Sequence, residues 1–437
     1  MSITFPFLTA ADPPATSEGA LDPLGLYRIA NQLAMQLVPD VRERMIRIRF
    51  LTAIAIGARI TRDLKADPDQ RDADPHLAWE WHVVESFIRS SADAHGEGAI
   101  WGVPGSLVAR RAIDRYGHLD ARSYLATPRV FGFHGVYKRL AHRVRIVNVH
   151  LGESGMTEPL IDAWARDRGL GGISGSEQLF EKWSTAIERA LAARPPQTTP
   201  RWVGTDWNEL AEALTPAGIG RQERKCLRCM LLDTGEHRIG ALPDLWSLQQ
   251  RRGEDAARDE RLHDELQRAA PRHAPLIRAI RTYERFARAM QDAFDVLRHR
   301  AGMGNDRGFA LSGVGADDDF RSAVAGLDGH FAAALEGLEG NADAAPALPG
   351  SFADQFRDFA ARMQPGEVAV ALWQLHKQVQ DDKSADGKRP WFNDHGNNVI
   401  SVRPRYRIDR PALEPDRYVH AYRGGTINRF FRDLGSQ

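Results

Sequence analysis

Cysteine is nearly missing from this chain: Cys226 and Cys229 are the only two in 437 residues. Two thiols make no disulfide framework for a chain this long, so a reducing, cytoplasmic setting is the expectation. Long apolar runs are missing too. The most apolar stretch, FLTAIAIGA (50–58), falls far short of the roughly 18 residues that span a bilayer and is flanked by arginines, so it is expected as a buried core helix and no membrane partner is expected. The first residues, MSITFPFLTAADPPATSEGA, lack the basic start and long apolar run of a signal peptide. No repeat with a period of 20–50 residues is evident. Catalytic signatures are missing as well. GxxxxGK[ST], HExxH and the GxSxG elbow do not occur, which leaves P-loop ATPase, zincin and α/β-hydrolase chemistry without their motifs.

Net charge is also missing. Lys+Arg and Asp+Glu are both 58, so any contact with a polyanion must come from a local patch. One local absence supplies such a patch. Between Asp120 and Glu153 there is no acidic residue, while Arg122, Arg129, Lys138, Arg139, Arg143, Arg145, His134, His142 and His150 all fall in the interval. Its centre, FGFHGVYKRLAHRVRIVN (131–148), has helical spacing. At 100° per residue Val136, Leu140, Val144 and Val147 form a packing stripe, Lys138, His142 and Arg145 lie opposite, and Arg139 and Arg143 flank it. One face packs and the other is left cationic, as a helix that reads nucleic acid requires. Lys138, Arg139, His142, Arg143 and Arg145 are therefore the candidate nucleic-acid-binding residues. The alternative is an ordinary solvated or partner-binding face.

What remains is a chain rich enough in apolar residues (43%) to bury real cores and too long for a single ordinary one. The expected fold is mainly α and multidomain, with a winged helix-turn-helix-like segment and a small C-terminal β element. Residues 1–20 read as a flexible arm. Residues 21–104 read as a helical domain: Leu26, Ile29, Leu33 and Leu37 keep helical spacing up to Pro39, a second helix is expected over about 42–64, ADPDQRDADP follows as a loop, and HLAWEWHVVESFIRSSADAHG is a third helix. Residues 105–193 read as the winged-helix-like domain. It holds GSLVARRAIDRYG, ARSYLA and the basic segment as three helices, then a turn at VHLGESG, then a helix opening at MTEPLIDAWARDRG with Thr157 as a possible N-cap and Pro159 in its first turn. EQLFEKWSTAIERALAA is amphipathic, and RPPQTTPRW (194–202) is the expected linker. Residues 202–437 read as a helical region with a terminal strand. Within it Leu276, Ile280, Tyr283, Ala287, Met290, Phe294 and Leu297 form a coiled-coil-like seam beside Arg278, Arg281, Arg285 and Arg288. NADAAPALPG (341–350) reads as flexible, NNVISVRPRYRI as a strand, and YVHAYRGGTINRFFRDL as a closing helix.

Other candidates carry plainer readings. CxxC at Cys226/Cys229 supplies half a zinc site, with His237 the only imidazole nearby. A redox pair is another use, since Arg224, Lys225 and Arg228 would lower the thiol pKa values, and the expected reading is two unliganded, reduced structural cysteines that are partly buried as small apolar residues. No stoichiometric zinc and no other cofactor are expected. Asp317, Asp318 and Asp319 read as a helix start or a divalent-metal site. Asp394, His395 and Asn397 read as a turn or a polar active-site loop.

At LDPLGLYRIANQLAMQLVPDVRERMIRIRF, and again at FGFHGVYKRLAHRVRIVN and MTEPLIDAWARDRGL, the chain resembles a group of helix-rich, winged-helix-containing bacterial proteins encoded near phage-defence genes. LWQLHKQVQDDKSADGKRPWF is similar to the C-terminal part of that group. The resemblance implies a DNA-associated accessory role in defence against foreign DNA and carries no catalytic residues with it. The expectation is thus a cytoplasmic, non-enzymatic nucleic-acid-binding or adaptor subunit that works with other protein subunits. The alternatives are a metal-dependent nuclease using Asp317–Asp319 or Asp394/His395, and a scaffold acting through the 276–297 seam.

Overall fold

In the computed structural model the described residues are 22–65, 73–92, 102–199, 201–252, 259–303, 308–383 and 388–435. The arm at 1–20 and most of the loop at 66–75 fall outside them. The chain divides into two compact units. One holds residues up to Leu33 together with Arg272–Tyr422; the other holds Ala34–Pro271 and Arg423–Gln437.

The chain opens with α1 (Tyr27–Leu37), whose residues from Ala34 on belong to the larger unit. At the heart of that unit is α2 (Phe50–Ile60), buried along almost its whole length. A helix with no polar face needs neighbours on every side. These are α3 (Pro75–Ala92), α6 (Phe133–Arg143), α7 (Thr157–Asp167) and α8 (Glu177–Ala192), with α4 (Ser106–Tyr116) and the single turn α5 (Pro128–Phe131) preceding α6. Gly57 lets α2 approach α3 closely: a Cβ there would lie 2.5 Å from Trp79 Cδ1. The Trp79 indole N–H donates to Ala53 O across the same contact. α9 (Gly204–Leu214), α10 (Arg221–Leu231), α11 (Leu242–Arg252) and α12 (Asp259–Ala269) complete the run of helices in this unit.

The smaller unit is built on α13 (Ala274–Met303). All seven seam residues from Leu276 to Leu297 are buried, packed inside the unit, where the helix at Leu327–Glu339 is the largest partner of α13. The seam is therefore core and is not available as a scaffold interface. α14 (Asp318–Val324), α15 (Leu327–Glu339), α16 (Leu348–Phe356) and α17 (Pro365–Asp381) pack around it. A three-stranded antiparallel sheet lies alongside: β1 (Phe309–Ala310), β2 (Phe392–Asp394) and β3 (Val399–Val402), in the order β1-β3-β2. β2 and β3 pair Phe392 with Val402 and Asp394 with Ile400. The chain returns to the larger unit for α18 (Gly424–Asp433).

The architecture is mainly helical with a small sheet late in the chain, as expected, but several elements differ. The second helix begins at Phe50, not near residue 42. Residues 41–48 form turns and irregular backbone, because their amides find partners from far away: Arg47 N donates to Tyr137 Oη (3.0 Å) and Ile48 N to Asp433 Oδ2 (3.1 Å). ARSYLA is a set of turns, not a helix. Asp120 Oδ1 accepts from the amides of Arg122 and Ser123, and the Tyr124 hydroxyl reaches the buried Glu80. Thr157 is the first residue of α7 rather than its cap, and its hydroxyl donates to Ile146 O. The strand expected over NNVISVRPRYRI stops at Val402, and Pro404–Tyr406 turns as a short 3-10 helix. Within 194–202, Thr198 and Thr199 are buried, and Thr198 Oγ1 donates to Glu85.

Candidate nucleic-acid interface

α6 is held at three places. Its start meets Glu80, a buried carboxylate that accepts from His134 N and His134 Nδ1 (3.0 Å each) and from Tyr124 Oη (2.9 Å). Its inner face buries Phe133, Val136, Tyr137, Leu140 and Ala141, with Phe133 stacked on Phe50 at 5.2 Å. Its end is closed by Ile146 N donating back to Ala141 O, with Arg145 in the left-handed region at φ +60°. Glycine is the usual residue in that position of a helix terminus, because any Cβ is strained there.

The outer face presents Lys138, Arg139, His142 and Arg145 to solvent, each exposed. Among the described residues no carboxylate pairs with Lys138, Arg139 or Arg145. Arg143 differs: it is half-buried and its guanidinium pairs with Asp40 at 2.5 Å.

The structure adds two cations that the helical reading of 42–64 hid. Because residues 41–48 are not helical, they cross the start of α6. Arg42 Nη1 donates to Gly135 O (3.4 Å), and the Arg44 guanidinium lies 4.5 Å over the Phe131 ring. Burial, then the nearby Arg139, and further Arg423 and Arg44 hold Arg42 below the usual arginine range, against the pull of Asp40. Arg423 is buried and paired with Glu43. Among the described residues Asp40 pairs with Arg143 and Glu43 with Arg423, while Arg42, Arg44 and Arg139 form no salt bridge. The other two arginines of RERMIRIRF are spent internally, Arg47 on Asp433 and Arg49 on the buried Glu223.

A cavity of about 610 Å³ opens beside this cluster. Ile46, Val103, Leu107, Leu125, Phe131 and Val136 give it an apolar wall, and Arg44 and Arg110 are its charged lining residues. Leu107, Val108, Val130 and Phe131 on α4 and α5 are all exposed, an unusual concentration of large apolar side chains in solvent. On another side of α6, Lys138 borders a smaller cavity of about 100 Å³ with His76 and His134. Burial, then His134, push His76 down to about 4, so it is neutral near pH 7.

The remaining candidates are not brought together. Cys226 and Cys229 lie one turn apart on α10, the first half-buried and the second exposed. Burial, then Cys229 and Glu223, push the Cys226 thiol up to about 11, the reverse of the lowering expected from its basic neighbours. Arg224 and Arg228 instead donate to the carbonyls of Asp433 and Leu434. Asp317 caps α14 by accepting from Phe320 N (2.9 Å) and pairs with Arg300, while Asp318 pairs with Arg321. Asp394 and His395 sit at the exposed β2–β3 turn, where Asp394 meets Lys377 (3.3 Å) and His395 Nε2 meets Ser401 Oγ (2.8 Å). In the basic row on α13, Arg278 pairs with Glu336 and Arg288 with Asp292. Among the described residues no group of three or more His, Cys, Asp or Glu is placed to hold a metal, and no helix is long and apolar enough to cross a membrane.

No family model, curated protein or solved structure matches the chain.

Proposed function

We propose that this chain is a cytoplasmic, non-enzymatic subunit that binds nucleic acid through α6 and the arginine loop at 41–48. The observation that carries the reading is the convergence of Arg42, Arg44 and Arg139, none of which forms a salt bridge among the described residues. Packing like charges together without a partner is unfavourable, and a bound polyanion removes that cost. Lys138, His142 and Arg145 extend the patch along the exposed side of the helix. In this reading α6 is the recognition helix of a winged-helix-like segment. The turn that follows it, closed by the Val147–Glu153 bridge, takes the place of the wing. The resemblance seen in the sequence makes DNA the expected nucleic acid, defence against foreign DNA the expected setting, and other protein subunits the expected company.

The test is fluorescence anisotropy with labelled duplex and single-stranded DNA over a range of salt. A surface engaging about six phosphates loses roughly a thousandfold in affinity between 50 and 200 mM salt. The triple variant Arg42→Glu, Arg139→Glu, Lys138→Glu should weaken binding at least tenfold with an unchanged circular dichroism spectrum. Equal binding by the triple variant, or wild-type binding indifferent to salt, would overturn the proposal.

A further inference from the structure

The charged patch and the apolar cavity share walls. Val136 lines the cavity, and Arg139 is one turn further along the same helix. Arg44 lies both in the cluster and in the cavity lining, with its guanidinium over Phe131. A ligand that fills this space must therefore be flat or apolar on one side and anionic on the other. Among the described residues the lining holds no carboxylate. The first turn of α4, which also borders the cavity, has no acidic residue and no side-chain cap at Gly105, so its amide ends favour an anion as well.

We propose that the cavity receives an unpaired base from a strand whose phosphates lie on Arg42, Arg44 and Arg139. The protein would then prefer a single-stranded stretch, or a duplex with an overhang, to a blunt duplex. This rests on the cationic surface being a nucleic-acid contact. Three features favour a base over other occupants. Its phosphate provides the anion that the arginines lack. Guanidinium and phenyl planes are the surfaces on which bases stack, and Arg44 and Phe131 present both. The wall is apolar and has few hydrogen-bonding side chains, which suits stacking that tolerates any sequence. Phe131, 41% exposed, and Leu107, 71% exposed, contribute little to the core and are free to serve as contact surface.

The experiment compares a blunt duplex with the same duplex carrying a short overhang that contains 2-aminopurine, using the full chain. Wild type should bind the overhang duplex about tenfold more tightly, with a change in 2-aminopurine fluorescence. Phe131→Ala and, separately, Leu107→Ser should reduce that preference severalfold. Leu107→Ser should leave blunt-duplex affinity and its salt dependence unchanged, because it removes no cation; Phe131→Ala also removes the ring beneath Arg44 and is therefore read only by the ratio of overhang to blunt affinity. If wild type binds blunt and overhang duplexes equally, the base pocket is overturned while the cationic surface stands. If it binds neither, both fall. A fluorescent fatty acid that fills the cavity of a protein indifferent to overhangs would overturn the proposal in favour of an acyl ligand.

Discussion

Arg145 carries a cation in a backbone conformation that suits glycine. A non-glycine residue in the left-handed region costs about 1 kcal/mol, and the αL position at the end of a helix is where glycine removes that cost. Arg145→Gly should therefore stabilise the larger unit by about that much in urea unfolding. If the patch binds nucleic acid, the same change should weaken binding to all sequences alike and flatten the slope of log affinity against log salt by about one. A variant that gains stability and binds unchanged would remove Arg145 from the interface. The neighbouring Arg143 should behave otherwise, since it is already committed to Asp40.

Elements with clear periodicity, α1, α3 and α13, were legible in the sequence because their apolar spacing is their own. So was the cationic side of α6, which an absence of carboxylates marks out. Residues 41–48 were not legible. Their helical pattern is overridden by partners some 90 and 385 positions away, Tyr137 and Asp433. The convergence of Arg42 and Arg44 on α6, the apolar cavity beside it and the loss of Arg143 to Asp40 all depend on that path, so they could not be read from spacing. The loop itself is testable. Asp433 accepts from Ile48 N (3.1 Å) and Arg47 Nη1 (3.2 Å). Asp433→Ala strands the Ile48 backbone donor and removes the carboxylate that pairs with Arg47, and it should cost about 2 kcal/mol. Hydrogen exchange at residues 47–48 should quicken, and duplex affinity should fall although Asp433 is itself an acid. Tighter binding, as simple removal of a negative charge would give, would show that the loop's shape does not matter.

At the scale of the molecule, each unit buries a histidine that is locked neutral. His82 in the larger unit donates through Nδ1 to Ala78 O and accepts at Nε2 from Thr199 N. His376 in the smaller unit repeats the pattern, with Pro23 O and Trp391 N as partners. Both rings are fully buried, and protonating Nε2 would set it against the amide that donates to it. Burial is the main cause pushing each down to about 4 from the usual 6.5. A histidine depressed in the folded state takes up its proton more readily when unfolded. Its stabilising effect is therefore complete above about pH 6.5 and is lost as pH falls toward 4. Each histidine should remove about 2 kcal/mol between pH 7 and pH 5. Burial raises the carboxyl pKa of Glu85 in the larger unit and Asp292 in the smaller, and these groups work in the opposite direction. The raw slope of stability against pH therefore mixes two effects, and the difference between wild type and a histidine variant separates them. In urea unfolding at pH 7, 6 and 5, His82→Gln and His376→Gln should each start less stable at pH 7 and lose about 2 kcal/mol less than wild type on the way to pH 5. Parallel curves for wild type and variant would show that these imidazoles titrate alike in the folded and unfolded chain.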